Sequence, residues 1–180
     1  PDAPGEFCND LAINADGGIW ITDRVNREIL YLDPEGSLRA VAGGFRGNGI
    51  VLSADRKMVV VTNSNEPRLH AFAVGENGAL TELEGFFDPV VTIAKLGEQD
   101  IAARRSGTNG MTVDNDGRFY VSSFYGVQVF GPDGKYVGVI NRPPPFTSNL
   151  GFAGQNRDWL YASGRVALYR LKMQVQGVAW

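Results

Sequence analysis

The chain holds one cysteine, Cys8, and one histidine, His70. A single cysteine excludes an internal disulfide framework and a cysteine-built zinc centre. A single histidine, in the run Arg68-Leu-His-Ala-Phe72, offers no serine-histidine-aspartate set, and no Gly-x-Ser-x-Gly elbow is present. His70 is expected on a third strand pointing away from the axis of the fold, packed or at the surface. No apolar run approaches the ~20 residues needed to span a bilayer, and the N-terminus lacks a charged-then-apolar signal pattern. Lysine and arginine are scattered through a chain of net charge −3 and pI near 5.2, so there is no basic field for a phosphate backbone. Neither membrane nor nucleic acid is an expected partner. The chain begins at Pro1 rather than methionine, as after processing or truncation, which leaves cytoplasmic and exported compartments both open. Gly43-Gly-Phe-Arg-Gly47 precedes a strand rather than a helix, which argues against a phosphate loop. Cys8 has no evident basic partner and is expected as a buried structural thiol.

What is present is a repeat. Four segments open with asparagine: Asn9-Asp-Leu-Ala-Ile-Asn-Ala-Asp16, Asn48-Gly-Ile-Val-Leu-Ser-Ala-Asp55, Asn109-Gly-Met-Thr-Val-Asp-Asn-Asp116 and Asn149-Leu-Gly-Phe-Ala-Gly-Gln-Asn156. They start 39, 61 and 40 residues apart, an interval that suits four-stranded propeller blades, with an insertion near residues 89–107. Short runs rich in Val, Ile, Phe, Tyr and Trp are punctuated by Asp-Gly and Asn-Gly pairs, an all-β grammar. The strands predicted are Leu11–Asn14, Ile19–Thr22, Ile29–Leu32 and Leu38–Ala42, then Ile50–Leu52, Met58–Thr62, Leu69–Val74 and Leu80–Phe86. The third unit predicts Met111–Val113, Phe119–Val121, Val127–Phe130 and Tyr136–Ile140, and the fourth Leu150–Phe152, Trp159–Tyr161, Val166–Leu171 and Val175–Val178. Pro143 to Pro145 suit a connection between blades. The insertion has weak helical character at Ile93–Leu96 and Asp100–Arg105 and is expected as a long loop. With 180 residues, 43% of them hydrophobic, the chain can bury a core and is read as one domain, 1–180.

In a propeller the innermost strands line a central channel. The repeat therefore places Asn9, Asn48, Asn109 and Asn149 at equivalent points around it, as a ring of amide oxygens. Neutral oxygens suit a hard cation, for which a carboxylate is normally wanted too, and Asp10, Asp23 and Asp114 are near enough in sequence to supply one. The competing reading is structural: Asn-Gly is a common turn dipeptide because asparagine tolerates the left-handed region.

Several segments resemble the SMP-30/gluconolactonase/luciferin-regenerating family of six-bladed propellers: Phe7-Cys-Asn-Asp-Leu-Ala-Ile-Asn-Ala-Asp-Gly, Gly47-Asn-Gly-Ile-Val-Leu-Ser-Ala-Asp, Thr108-Asn-Gly-Met-Thr-Val-Asp-Asn-Asp-Gly, Gly126-Val-Gln-Val-Phe-Gly-Pro-Asp-Gly, Ser148-Asn-Leu-Gly-Phe-Ala-Gly and Val175-Gln-Gly-Val-Ala. The resemblance implies hydrolysis of a sugar-type lactone by a divalent metal on the axis, Ca²⁺ foremost with Zn²⁺ or Mg²⁺ as alternatives. It implies Asn48 and Asn109 as metal ligands, Asn109 at the catalytic position, Asn9 and Asp10 against the substrate, and Asn149 lining the channel. Asn109 departs from the family pattern, which has aspartate there, and a neutral amide cannot accept a proton. The family's N-terminal glutamate is also absent, because the repeats match only its later blades. About four blades are expected, completed by further N-terminal blades or by self-association, since open sheet edges invite aggregation. The rival expectation is a non-catalytic propeller that binds a small ligand or a protein at the channel mouth.

Overall fold

The computed structural model describes residues 8–92, 106–141, 147–164 and 166–179. The expected helical stretches of the insertion, the Pro143–Pro145 connection and Trp180 lie outside the described residues. The rest is all-β, in four antiparallel meanders. The first blade is β1 (Cys8–Ile13), β2 (Ile19–Asp23), β3 (Glu28–Leu32) and β4 (Leu38–Gly43). The second is β5 (Gly47–Leu52), β6 (Met58–Asn63), β7 (Leu69–Val74) and β8 (Leu80–Glu82). The third is β9 (Met111–Val113), β10 (Phe119–Ser123), β11 (Gly126–Phe130) and β12 (Tyr136–Ile140), and the fourth is β13 (Thr147–Ala153), β14 (Trp159–Gly164) and β15 (Leu168–Lys172).

The fourth sheet has three strands among the described residues, so the strand predicted at Val175–Val178 is corrected. That segment forms only a single bridge, Asp114 to Gly177. The amide of Gly177 donates to the carbonyl of Arg157, and the amide of Val178 to the carbonyl of Val113. The chain end is thus shared between the turn of the fourth blade and the inner strand of the third, clasping the two.

Period-two alternation builds the core between blades. In β6, Val59 and Val61 pack toward the first blade with Trp20 and Tyr31, while Val60 packs the other way with Met111, Phe119 and Phe130. A strand covered on both faces becomes a continuous apolar run, which is why Met58–Thr62 does not alternate in polarity. A third cluster, with Tyr120, Val127, Leu150 and Leu160, joins the third and fourth blades. The insertion is anchored at its near end by Gln128, whose Oε1 accepts the amide of Val91 and whose Nε2 donates to the Val91 carbonyl, each at 2.8 Å.

Candidate functional site

The inner strands β1, β5, β9 and β13 lie side by side in that order. The pairing sets Asn9, Asn48 and Asn109 in matching places, whereas Asn149 lies past the bulge of its own blade, paired directly with Ser163, and Thr147 takes the blade-to-blade hydroxyl that Asn48 and Asn109 take. The residue two places beyond each asparagine pairs with the second strand of its blade: Leu11 with Ile21, Ile50 with Val61, Met111 with Val121 and Gly151 with Tyr161. In the first two blades a β-bulge falls on Asn9-Asp10 and Asn48-Gly49, and in the fourth it falls on Ser148.

The second, third and fourth inner strands also touch at these positions. A Cβ on Gly49 would lie 2.3 Å from the carbonyl oxygen of Asn109, and a Cβ on Gly110 would lie 1.9 Å from Oδ1 of Asn149. Glycine follows Asn48 and Asn109 because the next inner strand occupies the space a side chain would need, which gives Asn-Gly here a tertiary reason as well as a turn preference. Thr22 Oγ1 donates to the Asn48 carbonyl at 2.6 Å, and Thr62 Oγ1 to the Asn109 carbonyl at 2.8 Å. These hydroxyls recur in the sequence as Ile21-Thr22-Asp23, Val61-Thr62-Asn63 and Val121-Ser122-Ser123, a signal that the asparagine repeat overshadowed.

The asparagines differ in exposure. Asn48 is buried, Asn109 half-buried, and Asn9 and Asn149 exposed. Nδ2 of Asn48 donates to Ser64 Oγ at 2.7 Å and to the Thr108 carbonyl at 3.4 Å, so its amide oxygen turns away from that pair. A cavity of about 420 Å³ runs along all four inner strands. Asp10 and Asn149 stand at its polar end, and its lining also includes Thr112, Ile50, Leu52 and Phe152. Asn9, Asn48 and Asn109 border this end without lining the cavity.

Among the described residues Asp10 is the one ionisable side chain on the cavity wall. Its Oδ1 accepts the amide of Leu11 at 3.0 Å and its Oδ2 the amide of Ile50 at 3.2 Å. Burial raises its pKa above the ordinary aspartate range, and the two amides oppose that shift. The other two carboxylates expected near a metal are committed elsewhere. Asp23, 1% exposed, accepts the amides of Val25 and Asn26 and the side chain of Asn26 in the β2–β3 turn. Asp114, at the far end of β9, accepts from Arg118 Nε at 2.8 Å and from the Tyr120 hydroxyl at 2.9 Å. Cys8 is exposed rather than buried; partial desolvation and the Asp10 charge push its thiol pKa up, which disfavours a nucleophile. His70 is buried on β7, stacked on Phe45 with ring centroids 3.6 Å apart, and burial lowers its pKa. It is a packing residue, as expected.

Among the described residues no three His, Cys, Asp or Glu side chains converge on a point. The donors at the polar end are amide oxygens and one carboxylate. With its nitrogen held by Ser64 and Thr108, Asn48 keeps its oxygen for a ligand, so the set fits a hard cation in kind, with Asp10 as the nearby charge.

The family model described as SMP-30/Gluconolactonase/LRE-like region matches residues 1–164. A gluconolactonase from Zymomonas mobilis is 27% identical over 191 residues, covering 94% of this chain and 51% of that protein. The solved gluconolactonase of Xanthomonas campestris superimposes with a TM-score of 0.73 at 27% identity, covering 94% of this chain and 59% of that one. Regucalcin of Agrobacterium tumefaciens, a calcium-binding protein, shares the fold with a TM-score of 0.73 at 18% identity, covering 94% and 62%. The chain spans about half the length of the curated relatives it matches.

Proposed function

Because the chain belongs to the SMP-30/gluconolactonase/LRE-like family, we propose that it carries the lactone-hydrolysing face of a β-propeller. The observation that carries this reading is that neighbouring inner strands bring Asn9, Asn48 and Asn109 to matching places beside a cavity lined by Asp10 and Asn149. The Zymomonas relative supports a sugar-type lactone as the substrate.

Hydrolysis adds one water across the ring ester. The water oxygen bonds to the acyl carbon, the ring C–O bond breaks, one water proton ends on the released alkoxide, and the new carboxylic acid ionises at neutral pH. Asn48 and Asn109 would hold a divalent cation through their amide oxygens, with calcium favoured by the Agrobacterium protein. When bound, such an ion polarises the lactone carbonyl. Asn109 cannot accept a proton, so it holds and orients. Asp10, with a pKa raised toward the working range, takes the proton of the attacking water. The exposed amides of Asn9 and Asn149 hydrogen-bond the substrate at the polar end.

The neutral Asn109 favours the rival, a propeller that binds a lactone-like ligand without turning it over. Hydrolysis of glucono-δ-lactone followed by pH-stat, with and without chelator, separates the two. The expected result is turnover that chelator abolishes and calcium restores. Calcium binding by calorimetry without turnover would install the rival reading.

A further inference from the structure

The orientation of the Asn48 amide is set by one hydroxyl. Ser64 follows β6 directly and is half-buried. Its hydroxyl oxygen lies 2.7 Å from the Thr108 carbonyl oxygen and 2.7 Å from the side-chain amide of Asn48. A carbonyl only accepts, and a hydroxyl has one proton to give, so that proton goes to Thr108. The Ser64 oxygen is left to accept, and the Asn48 atom that faces it is therefore Nδ2. The same nitrogen lies 3.4 Å from the Thr108 carbonyl, where an amide oxygen would meet a second acceptor. Oδ1 is turned away from both. Reversing the amide would draw the Ser64 proton off the carbonyl of Thr108, a fully buried residue, and leave that acceptor without its 2.7 Å donor.

The frame that carries this contact is tied together without Asn48. The Gly107 amide donates to the Ser64 carbonyl at 3.3 Å. Ser106 Oγ donates to the Asn63 carbonyl at 3.0 Å and accepts the Thr108 amide at 3.3 Å. Asn63, Ser106 and Thr108 are all buried, so the Thr108 carbonyl is held as a fixed acceptor. Asn149 shows the alternative. Its Oδ1 accepts the amide of Leu150 at 2.8 Å, so the next residue of its own strand orients it.

We propose that Ser64 is a positioning residue for the candidate site: its hydroxyl, committed to the Thr108 carbonyl, locks the Asn48 amide with Oδ1 free for an incoming cation. The consequence for binding rests on Asn48 being a cation ligand, as proposed above, whereas the orientation rests on the hydrogen bonds alone. Without the hydroxyl the carboxamide turns over, the population presenting oxygen falls, and apparent affinity weakens in the same proportion. Ser64 stands two residues from Thr62, whose hydroxyl bonds the Asn109 carbonyl, so one end of β6 holds both asparagines in place.

The test reads the Asn48 side-chain NH₂ by NMR hydrogen exchange in the full chain, beside calcium calorimetry on the same samples. In the parent that NH₂ should be protected, and in Ser64→Ala it should exchange about tenfold faster. Ser64→Thr, which restores a hydroxyl, should regain the protection. Ser106→Ala removes another hydroxyl between the same two segments without touching Asn48, and should leave the protection in place. Calcium affinity should fall at least about threefold in Ser64→Ala and stay at the parent value in Ser106→Ala. Fast exchange of the Asn48 NH₂ in the parent would overturn the proposal whatever the variants do. So would unchanged exchange or calcium affinity in Ser64→Ala, or equal loosening by Ser106→Ala, which would make Ser64 an anchor of residues 106–108 alone. Protection that follows Ser64 in a parent that binds no calcium would uphold the positioning role and overturn the metal reading of Asn48 instead.

Discussion

The main-chain amide of Ile50 donates to the Asp10 carboxylate at 3.2 Å, so the ionisable side chain on the cavity wall also ties the first two inner strands together, two residues from Asn48. Burial raises the Asp10 pKa. A carboxyl raised in the folded state contributes stability that is fully present below its ordinary value of 3.8 and is lost as pH rises through the folded value. Asparagine can accept only one of the two amides, a loss independent of pH, so the Tm of Asp10→Asn relative to the parent should rise from about pH 4 to pH 7. Lactone turnover should fall about 100-fold or more. Thermal unfolding at both pH values beside a rate measurement checks this, and a relative Tm that falls from pH 4 to pH 7 would contradict it.

Asn109→Asp places a carboxylate half-buried between Asn48 and Asn149. The expected outcome is a gain of at least about tenfold in calcium affinity, from charge added to a neutral oxygen set, and faster lactone hydrolysis. Calorimetry and initial rates on the same preparation test it. Unchanged affinity would remove Asn109 from the ligand set.

Gly49→Ala puts a Cβ at 2.3 Å from the Asn109 carbonyl, with backbone rather than a flexible side chain in the way. The two inner strands must separate, at a cost of about 1–3 kcal/mol. Denaturant unfolding should show that loss, and calcium affinity should fall with it because Asn48 and Asn109 move apart. A variant as stable as the parent would show that the strands can part freely.

Thr62→Val keeps shape and removes the hydroxyl that accepts the Gly49 amide and donates to the Asn109 carbonyl. Both backbone groups are left buried without that partner, a loss of about 1–3 kcal/mol. The same substitution at Thr81, on the edge strand β8, should change stability by less than about 0.5 kcal/mol.

Burial, reinforced by the Asp114 carboxylate, pushes the Tyr120 pKa up to about 12. The stability this carries is intact below the ordinary tyrosine value of 10.0 and is lost as pH rises through about 12. Difference titration of the parent against Tyr120→Phe at 295 nm should show an ionisation near 12. In Asp114→Asn that ionisation should move down toward 10.0, since the carboxylate is gone.

The strands and the blade count were legible because they depend on local chemistry: period-two apolar runs, Asp-Gly turns and a recurrent asparagine. The matching places of Asn9, Asn48 and Asn109 followed from the repeat itself, while Asn149 sits past the bulge of its blade. Side-chain commitments did not, since they are made between distant residues. Asp114 and Asp10 look alike in sequence, yet Arg118 and Tyr120 occupy the first, while the second faces the cavity. Thr62 meets Asn109 across 47 residues, and no local pattern announces that contact. Val175–Val178 has strand composition but spans two blades, because its backbone donors find Val113 and Arg157. How each blade folds is written in the chain, because neighbouring residues dictate strand and turn. Only the tertiary structure decided which amide turns its oxygen outward and which carboxylate remains available, because those depend on what the adjoining blade places opposite.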